Sequence, residues 1–303
     1  MDSITQTLLD SFIPEIVAQR ALNTLEAEIS LIPFVNKDFS TEVQSKGKTV
    51  VVPKHSGLQD NEKVAGQQVT LQANADTDVP ISLSEHREAT VLIEDVARAL
   101  VDEAYLDGKL QEAMLTVMER AETYLFGVAD GLTASIPSTV YTTANALDGI
   151  RKAKTVLNSN RAPKMNRGLF LSNEFYSTVG ATNNLALQQN YGDNVAIRDG
   201  LVPRVLGFQA YDSLFTPVSG DNVTNLAIHR DAVSMVARAL PTYGVGDTIR
   251  QTVVVKDGFP MRVTLSYDHK ALGVIVTVDA LYGASVLRNE LGVKIISDES
   301  EES

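Results

Sequence analysis

Residues 46–96 read "KGKTVVVPKHSGLQDNEKVAGQQVTLQANADTDVPISLSEHREATVLIEDV". The stretch decides the architecture because it is long, polar and extended in character, with no evident face to bury. Val50, Val51 and Val52 follow Gly47 as a strand that Pro53 stops. From His55 to Thr77 the chain is polar and rich in Gly, Gln and Asn, alternating only at Val69 and Leu71. Strand character resumes in "VPISLSEHREATVLIED", where Ile81 and Leu83 alternate and Val91–Ile93 are apolar. Strand pieces on both sides of a polar tip predict a long two-stranded arm. An isolated hairpin is marginal in water, so the arm is expected to be mobile unless it lies on another surface. Its charges are Lys46, Lys48, Lys54 and Lys63 against Asp60, Glu62, Asp76 and Asp78. They are candidate inter-subunit contacts that set register rather than affinity. Plain solubilising charge is the alternative reading.

Working outward, residues 1–30 place Leu8, Leu9, Phe12, Ile16, Val17, Leu22, Leu25 and Ile29 on a discontinuous helical stripe, interrupted at Pro14. Two short helical pieces in need of a partner surface are expected. That surface is either the chain's own body or a neighbouring subunit, with Leu8, Leu9, Phe12 and Ile16 as candidate contacts. On the other side a helix is expected from about Asp95 to Val128. Leu106, Leu110, Met114, Val117, Ala121, Leu125 and Val128 step at helical spacing, with Asp107, Lys109, Glu112, Glu119, Arg120 and Glu122 on the opposite face. A helix this long predicts a spine under a sheet.

Beyond the spine, "NALDGIRKAKTVLNS" reads as a helix with Leu147, Ile150, Val156 and Leu157 inward, and "RGLFLSN" as a buried strand. "NEFYSTVGA" is a short helix capped by Ser172 or Asn173. "VPRVLGFQAYDS" has strand character around Gly207; "AIHRDAVSMVARAL" fits strand or helix. "TVVVKDGFPMRVTLSY" is a hairpin turning at Asp257-Gly258. "GVIVTVDALYGASVLRNELGVKII" supplies further strands, and "SDESEES" an acidic tail.

The chain has 303 residues, a net charge of −12 and no cysteine. The charge argues against general nucleic-acid binding, which needs an excess of Lys and Arg. The absence of cysteine removes disulfides, thiolate metal sites and thiol nucleophiles. The N-terminus has no basic segment of a signal peptide, and no apolar run approaches a membrane span. His55, His86, His229 and His269 have no metal-ligand spacing, and no G-x-S-x-G, Walker or G-x-G-x-x-G pattern is present. "GVGDT" at 244–248 has the glycines of a phosphate loop without its lysine, and reads as a turn. No catalytic pair, cofactor site or metal site is expected.

The order of elements resembles the Hong Kong 97-type major capsid proteins of tailed double-stranded DNA bacteriophages, closest to the branch of the Salmonella podophage coat protein. "LIPFVNKDFSTEVQSKGKTVVVPK" carries the family's phrases at Val35–Phe39 and Gly47–Val50. "SLSEHREATVLIEDVARAL" resembles the strand leading into the spine helix. "IRKAKTVLNSNRAP" with "RGLFLSNEFYS" resembles the helix-strand-helix of the axial domain. "VPRVLGFQAYDS" is similar to a further segment of that domain, with Val202-Pro203 where a glycine is usual. "VDALYGASVLRNELGVKII" resembles the last peripheral-domain strands.

The resemblance implies an α+β fold in sequence blocks: N-terminal arm (1–36), extended loop (37–90), spine helix (91–130), axial domain (131–240), peripheral strands (241–297) and disordered tail (298–303). It implies a major capsid protein, not an enzyme, that self-assembles into pentamers and hexamers of an icosahedral shell around double-stranded DNA. A scaffolding protein, a portal and a decoration protein would be partners, and assembly would occur in the host bacterial cytoplasm. A lysine–asparagine bond known in the wider fold would fall at Lys54 or Lys63 with Asn289; no local pattern supports it. The alternatives are an encapsulin-like nanocompartment shell and a cytosolic α/β enzyme without a recognisable motif.

Overall fold

A computed structural model of the chain describes residues 29–39, 48–55, 57, 60–69, 71–72, 76–95, 103–182, 204–242 and 249–300. Among these residues the architecture is mixed α/β, with two large sheets, few helices and one small hairpin sheet. After a single turn, α1 (Leu31–Phe34), the main helix is α2 (Glu103–Ala129). Its 27 residues span about 40 Å at ~1.5 Å each. Residues 96–102, where the helix was expected to begin, lie outside the described residues. The apolar stripe is buried: Leu110, Met114, Val117, Ala121 and Leu125 are 4% exposed or less.

The stripe covers a five-stranded antiparallel sheet. At its centre is β13 (Gly273–Val286). One side of β13 pairs with β3 (Glu85–Glu94) from Gly273↔Glu94 to Tyr282↔Glu85. Its other side carries β12 (Phe259–Asp268) and, end to end with it, β10 (Val233–Arg238). The outer strand β11 (Ile249–Lys256) joins β12 through Asp257-Gly258. Both turn residues have positive φ, 49° and 75°, the geometry that matches strand twist in a two-residue hairpin.

The second sheet orders β4 (Ser135–Thr139), β14 (Gly292–Asp298), β9 (Asn222–His229), β5 (Arg167–Leu171), β7 (Phe208–Asp212) and β6 (Arg204–Val205). The short β8 (Val218–Ser219) extends β9. All of β5 is buried: the apolar run Leu169–Leu171 predicts it, and Arg167 at its start is buried as well. Two helices pack here. They are α3 (Ala146–Ser159), with Leu147, Ile150 and Leu157 buried, and α4 (Asn173–Gly180). Ser172 caps α4 by accepting the Phe175 N–H at 3.2 Å. The far end of α2 reaches this sheet, where Phe126 meets Phe170 edge-on at 6.2 Å. A single hydrophobic core therefore runs through both sheets.

Three expectations change. First, β3 is not part of the arm. Ile93 is buried, and Ala89 and Val91 pack against the main core, while His86, Glu88, Thr90, Leu92 and Glu94 point outward. Charged outward residues hid a strand of the main sheet. The arm's two-stranded part is only β1 (Thr49–Lys54) with β2 (Thr77–Ser82). Second, Pro53 does not stop β1; it lies within it, opposite Asp78. β1 pairs with a single strand, so Pro53's missing N–H can face the unpaired side. Third, the boundary at 240/241 does not separate the sheets. β10 joins the first sheet and β14 the second. Among the described residues the chain passes from the first sheet to the second along α2, and the two later crossings run through the 3-10 turns Arg230–Ala232 and Asn289–Leu291. These crossings are tied together, with Leu287 N–H donating to Ala232 C=O at 2.9 Å. The ambiguous "AIHRDAVSMVARAL" is thus strand, turn, strand.

Candidate assembly surface

The hairpin β1–β2 is held at its root and open at its tip. Val50, Val52, Ile81 and Leu83 face inward and form a second small core with Val236 of β10 and Leu287. So the stretch has a core face after all, carried by alternate residues of two separated strands. The Ser82 carbonyl sits against Gly283 of β13, where any Cβ would collide with it. Leu83 N–H donates to Lys48 C=O at 2.8 Å, closing the base. Past Lys54 the chain leaves this support. Val64, Val69 and Leu71 are 50%, 67% and 89% exposed.

The charged residues singled out on the arm divide into two groups. Three make contacts within their own chain. Lys54 Nζ pairs with Glu290 Oε2 at 3.1 Å. Asp76 pairs with His55 Nδ1 at 3.0 Å. Lys63 Nζ donates to its neighbours' carbonyls, Val64 at 2.9 Å and Gln67. Lys48, Asp60, Glu62 and Asp78 are exposed and form no ion pair with the described residues. Lys46 and the N-terminal Leu8, Leu9, Phe12 and Ile16 lie outside the described residues. Burial acts to raise the Glu290 carboxyl, but the backbone hydrogen bond at Glu290 and the Lys54 ammonium outweigh it and leave its pKa lowered. Lys54 is thereby brought to the residue beside Asn289.

The lead-in to the arm is a clip. Asn36 makes a one-residue parallel bridge to Ser234, donating to Val233 C=O at 3.3 Å and accepting from Met235 N–H at 2.9 Å. Its side chain donates to Asp231 Oδ1 at 2.7 Å and accepts the Asp38 N–H at 2.9 Å. Lys37 reaches the Asp257 carbonyl in the β11–β12 turn. Burial lowers its pKa, against the opposing pull of Asp257. Arg230 holds Asp38 at 3.1 Å. The phrase Val35–Phe39 thus has a structural job: it fastens the chain to both β10 and the outer hairpin just before the arm departs.

Glu122 was expected on the solvated face of the spine helix. It is instead fully buried. Its Oε1 accepts the N–H groups of Ser30 at 3.0 Å and Leu31 at 2.5 Å, and its Oε2 that of Ile32 at 2.9 Å. These are the orphan donors at the start of α1, which attract a carboxylate. Burial pushes the Glu122 carboxyl up, and the backbone hydrogen bonds pull the other way. A signal existed: Glu122 lies four residues after the buried Met118 and next to Ala121, at the edge of the stripe.

Among the described residues no group of three His, Asp or Glu could hold a metal ion, and no helix is long and apolar enough to cross a membrane. The "GVGDT" turn lies outside the described residues.

No protein-family model matches the chain, and no curated protein matches it in sequence. Solved structures do share its fold. A structure from Mycobacterium phage Che8 matches with a TM-score of 0.68 at 18% identity, covering 89% of this chain and 91% of that one. The capsid of cyanophage P-SCSP1u matches at 0.56 and 16% identity, over 84% and 85%. The acidic stable capsid of Helicobacter pylori bacteriophage KHP30 matches at 0.59 and 10% identity, over 84% and 86%. At such identities the likeness is one of fold: the chain has the mixed α/β fold of phage capsid structures.

Proposed function

We propose that this chain is the major capsid protein of a tailed double-stranded DNA phage, with a Hong Kong 97-type fold, self-assembling into pentamers and hexamers of an icosahedral shell. One observation carries the reading: the likeness to phage capsid structures runs along most of the chain rather than over one module. Supporting it is an arm that is anchored at its root and exposes apolar and charged residues at its tip. Exposed apolar chain of this kind marks an interaction surface. In a closed shell the neighbouring subunit supplies the missing cover.

In this reading Lys46, Lys48, Asp60, Glu62 and Asp78 meet charges of adjacent subunits, and Lys54, Lys63 and Asp76 hold the arm's shape. Leu8, Leu9, Phe12 and Ile16 pack on a neighbour. The sequence phrases favour the Salmonella podophage branch. Scaffolding and portal proteins, with a decoration protein, are the expected partners, and assembly takes place in the bacterial cytoplasm. The role is structural rather than catalytic. A net charge of −12 suits a wall that must not hold packaged DNA.

Electron microscopy of the expressed protein tests the proposal. Closed shells, tubes or sheets built from the chain are expected, alone or with its scaffold. A chain that remains monomeric or dimeric under every assembly condition would overturn it.

A further inference from the structure

Arg167 opens β5 and is only 4% exposed. Its Nε donates to the Pro163 carbonyl at 2.7 Å and its Nη2 to the Ala162 carbonyl at 2.7 Å. Phe208 presents its ring 5.9 Å from the guanidinium carbon. No carboxylate among the described residues pairs with it. Burial lowers its pKa, yet a guanidinium remains charged in a protein. A buried cation without a counter-ion is costly, and two carbonyls and a ring offset that only in part. The N–H groups not used by the carbonyls remain available.

Beside Arg167 lies a cavity of about 190 Å³, lined by Lys154 and Asn158 of α3, Lys164, Arg167, and Leu206 and Gly207 of the β6–β7 turn. No acidic residue lines it, and neither lysine has an ion pair with the described residues. Three cations therefore converge on one cavity in a chain whose net charge is −12. Mutual repulsion should scatter such charges unless something anionic is meant to sit between them.

We propose that this cavity binds a phosphate group, either free phosphate or a backbone phosphate of nucleic acid. The guanidinium fork matches a tetrahedral oxyanion, and the two ammonium groups supply further point charges. The cavity is smaller than the ~300 Å³ at which pockets for larger organic ligands begin, so it takes the phosphate and not a whole nucleotide. Gly207 has φ 95°, and open space lies where its side chain would be, which leaves room at the mouth. The inference stands apart from the shell reading, since it needs no assembled particle.

Isothermal titration of the full chain with inorganic phosphate, in chloride of matched ionic strength, tests it. Saturable one-site binding is expected. The Lys154→Gln/Lys164→Gln variant should bind about tenfold more weakly or less, while melting at the wild-type temperature without phosphate. Lys164 is exposed, Lys154 is half-buried, and neither forms an ion pair with the described residues, so neutral glutamines of similar length should leave the fold intact. Absence of saturable binding, equal binding by the variant, or acetate binding as tightly as phosphate would each overturn the proposal. A short oligothymidylate that competes with phosphate identifies nucleic acid as the source; one that does not identifies free phosphate.

Discussion

Glu122 Oε1 accepts the backbone N–H of Leu31 at 2.5 Å, across 91 residues of chain. The bond joins the C-terminal third of the spine helix to the single turn α1. Together with the Asn36 bridge to Ser234, it fixes the direction in which the extended arm sets out. Both fastenings lie outside the arm, so the arm can be free at its tip and defined at its base.

Removing that carboxylate should loosen the clip. Glu122→Ala leaves buried N–H groups of Leu31 and Ile32 without acceptors, at a cost of about 3 kcal/mol or more. Glu122→Gln keeps one oxygen and should cost about 1–2 kcal/mol. Urea denaturation at neutral pH measures both. An Ala variant within ~0.5 kcal/mol of wild type would show that the carboxylate is not what holds α1.

Docking of the hairpin depends on a close approach at Gly283. Gly283→Val should push the Ser82 carbonyl away and lever β1–β2 off Val236 and Leu287. Most of the fold lies in the other core and should survive. Limited proteolysis is expected to cut residues 48–83 faster in the variant, with near-wild-type circular dichroism. Unchanged cleavage would place the hairpin's hold elsewhere.

Sequence reasoning read the spine stripe, the Asp257-Gly258 hairpin and the buried β5 because each is local, with the period or turn chemistry inside one short window. It misread what depends on a distant partner. The outward face of β3 is charged, so its alternation looked like more polar arm; only the neighbour β13 reveals its inward face. Val50 and Ile81 are directly paired but 31 positions apart, so their shared core has no sequence signature. Glu122 looked solvated because nothing nearby in sequence announces α1 as its partner. The charges at 60–62 are legible as charges, and among the described residues no ion-pair partner stands beside them.

Acid should weaken the fold through His229. The ring is buried, and its Nδ1 accepts the Asp231 N–H at 3.2 Å, which requires that nitrogen to be unprotonated. Burial lowers the pKa from 6.5, Arg167 and Arg230 add to that, and Asp231 opposes it. The folded state thus binds the proton less readily than the unfolded chain. Stability is full above about pH 6.5 and falls as the pH drops below it. Melting curves from pH 7.5 to 5.5 should show the loss, and His229→Asn should flatten that part of the profile. A variant with the same slope as wild type would assign the effect to another group.

The strongest test of the arm separates folding from assembly. Lys54 pairs with Thr77 at the last rung of β1–β2, so residues 55–76 can be replaced by Asn-Gly, which closes a two-residue hairpin. The replacement keeps Val50, Val52 and Ile81 in their small core and removes Val64, Val69, Leu71 and the charges Asp60, Glu62, Lys63 and Asp76. The shortened chain is expected to melt within a few degrees of wild type and to give the same circular dichroism. Under conditions where wild type forms particles, sedimentation should find it unassembled. Loss of the fold would show that the tip belongs to a core of its own chain. Normal particles would show that the exposed tip is not what binds one subunit to the next.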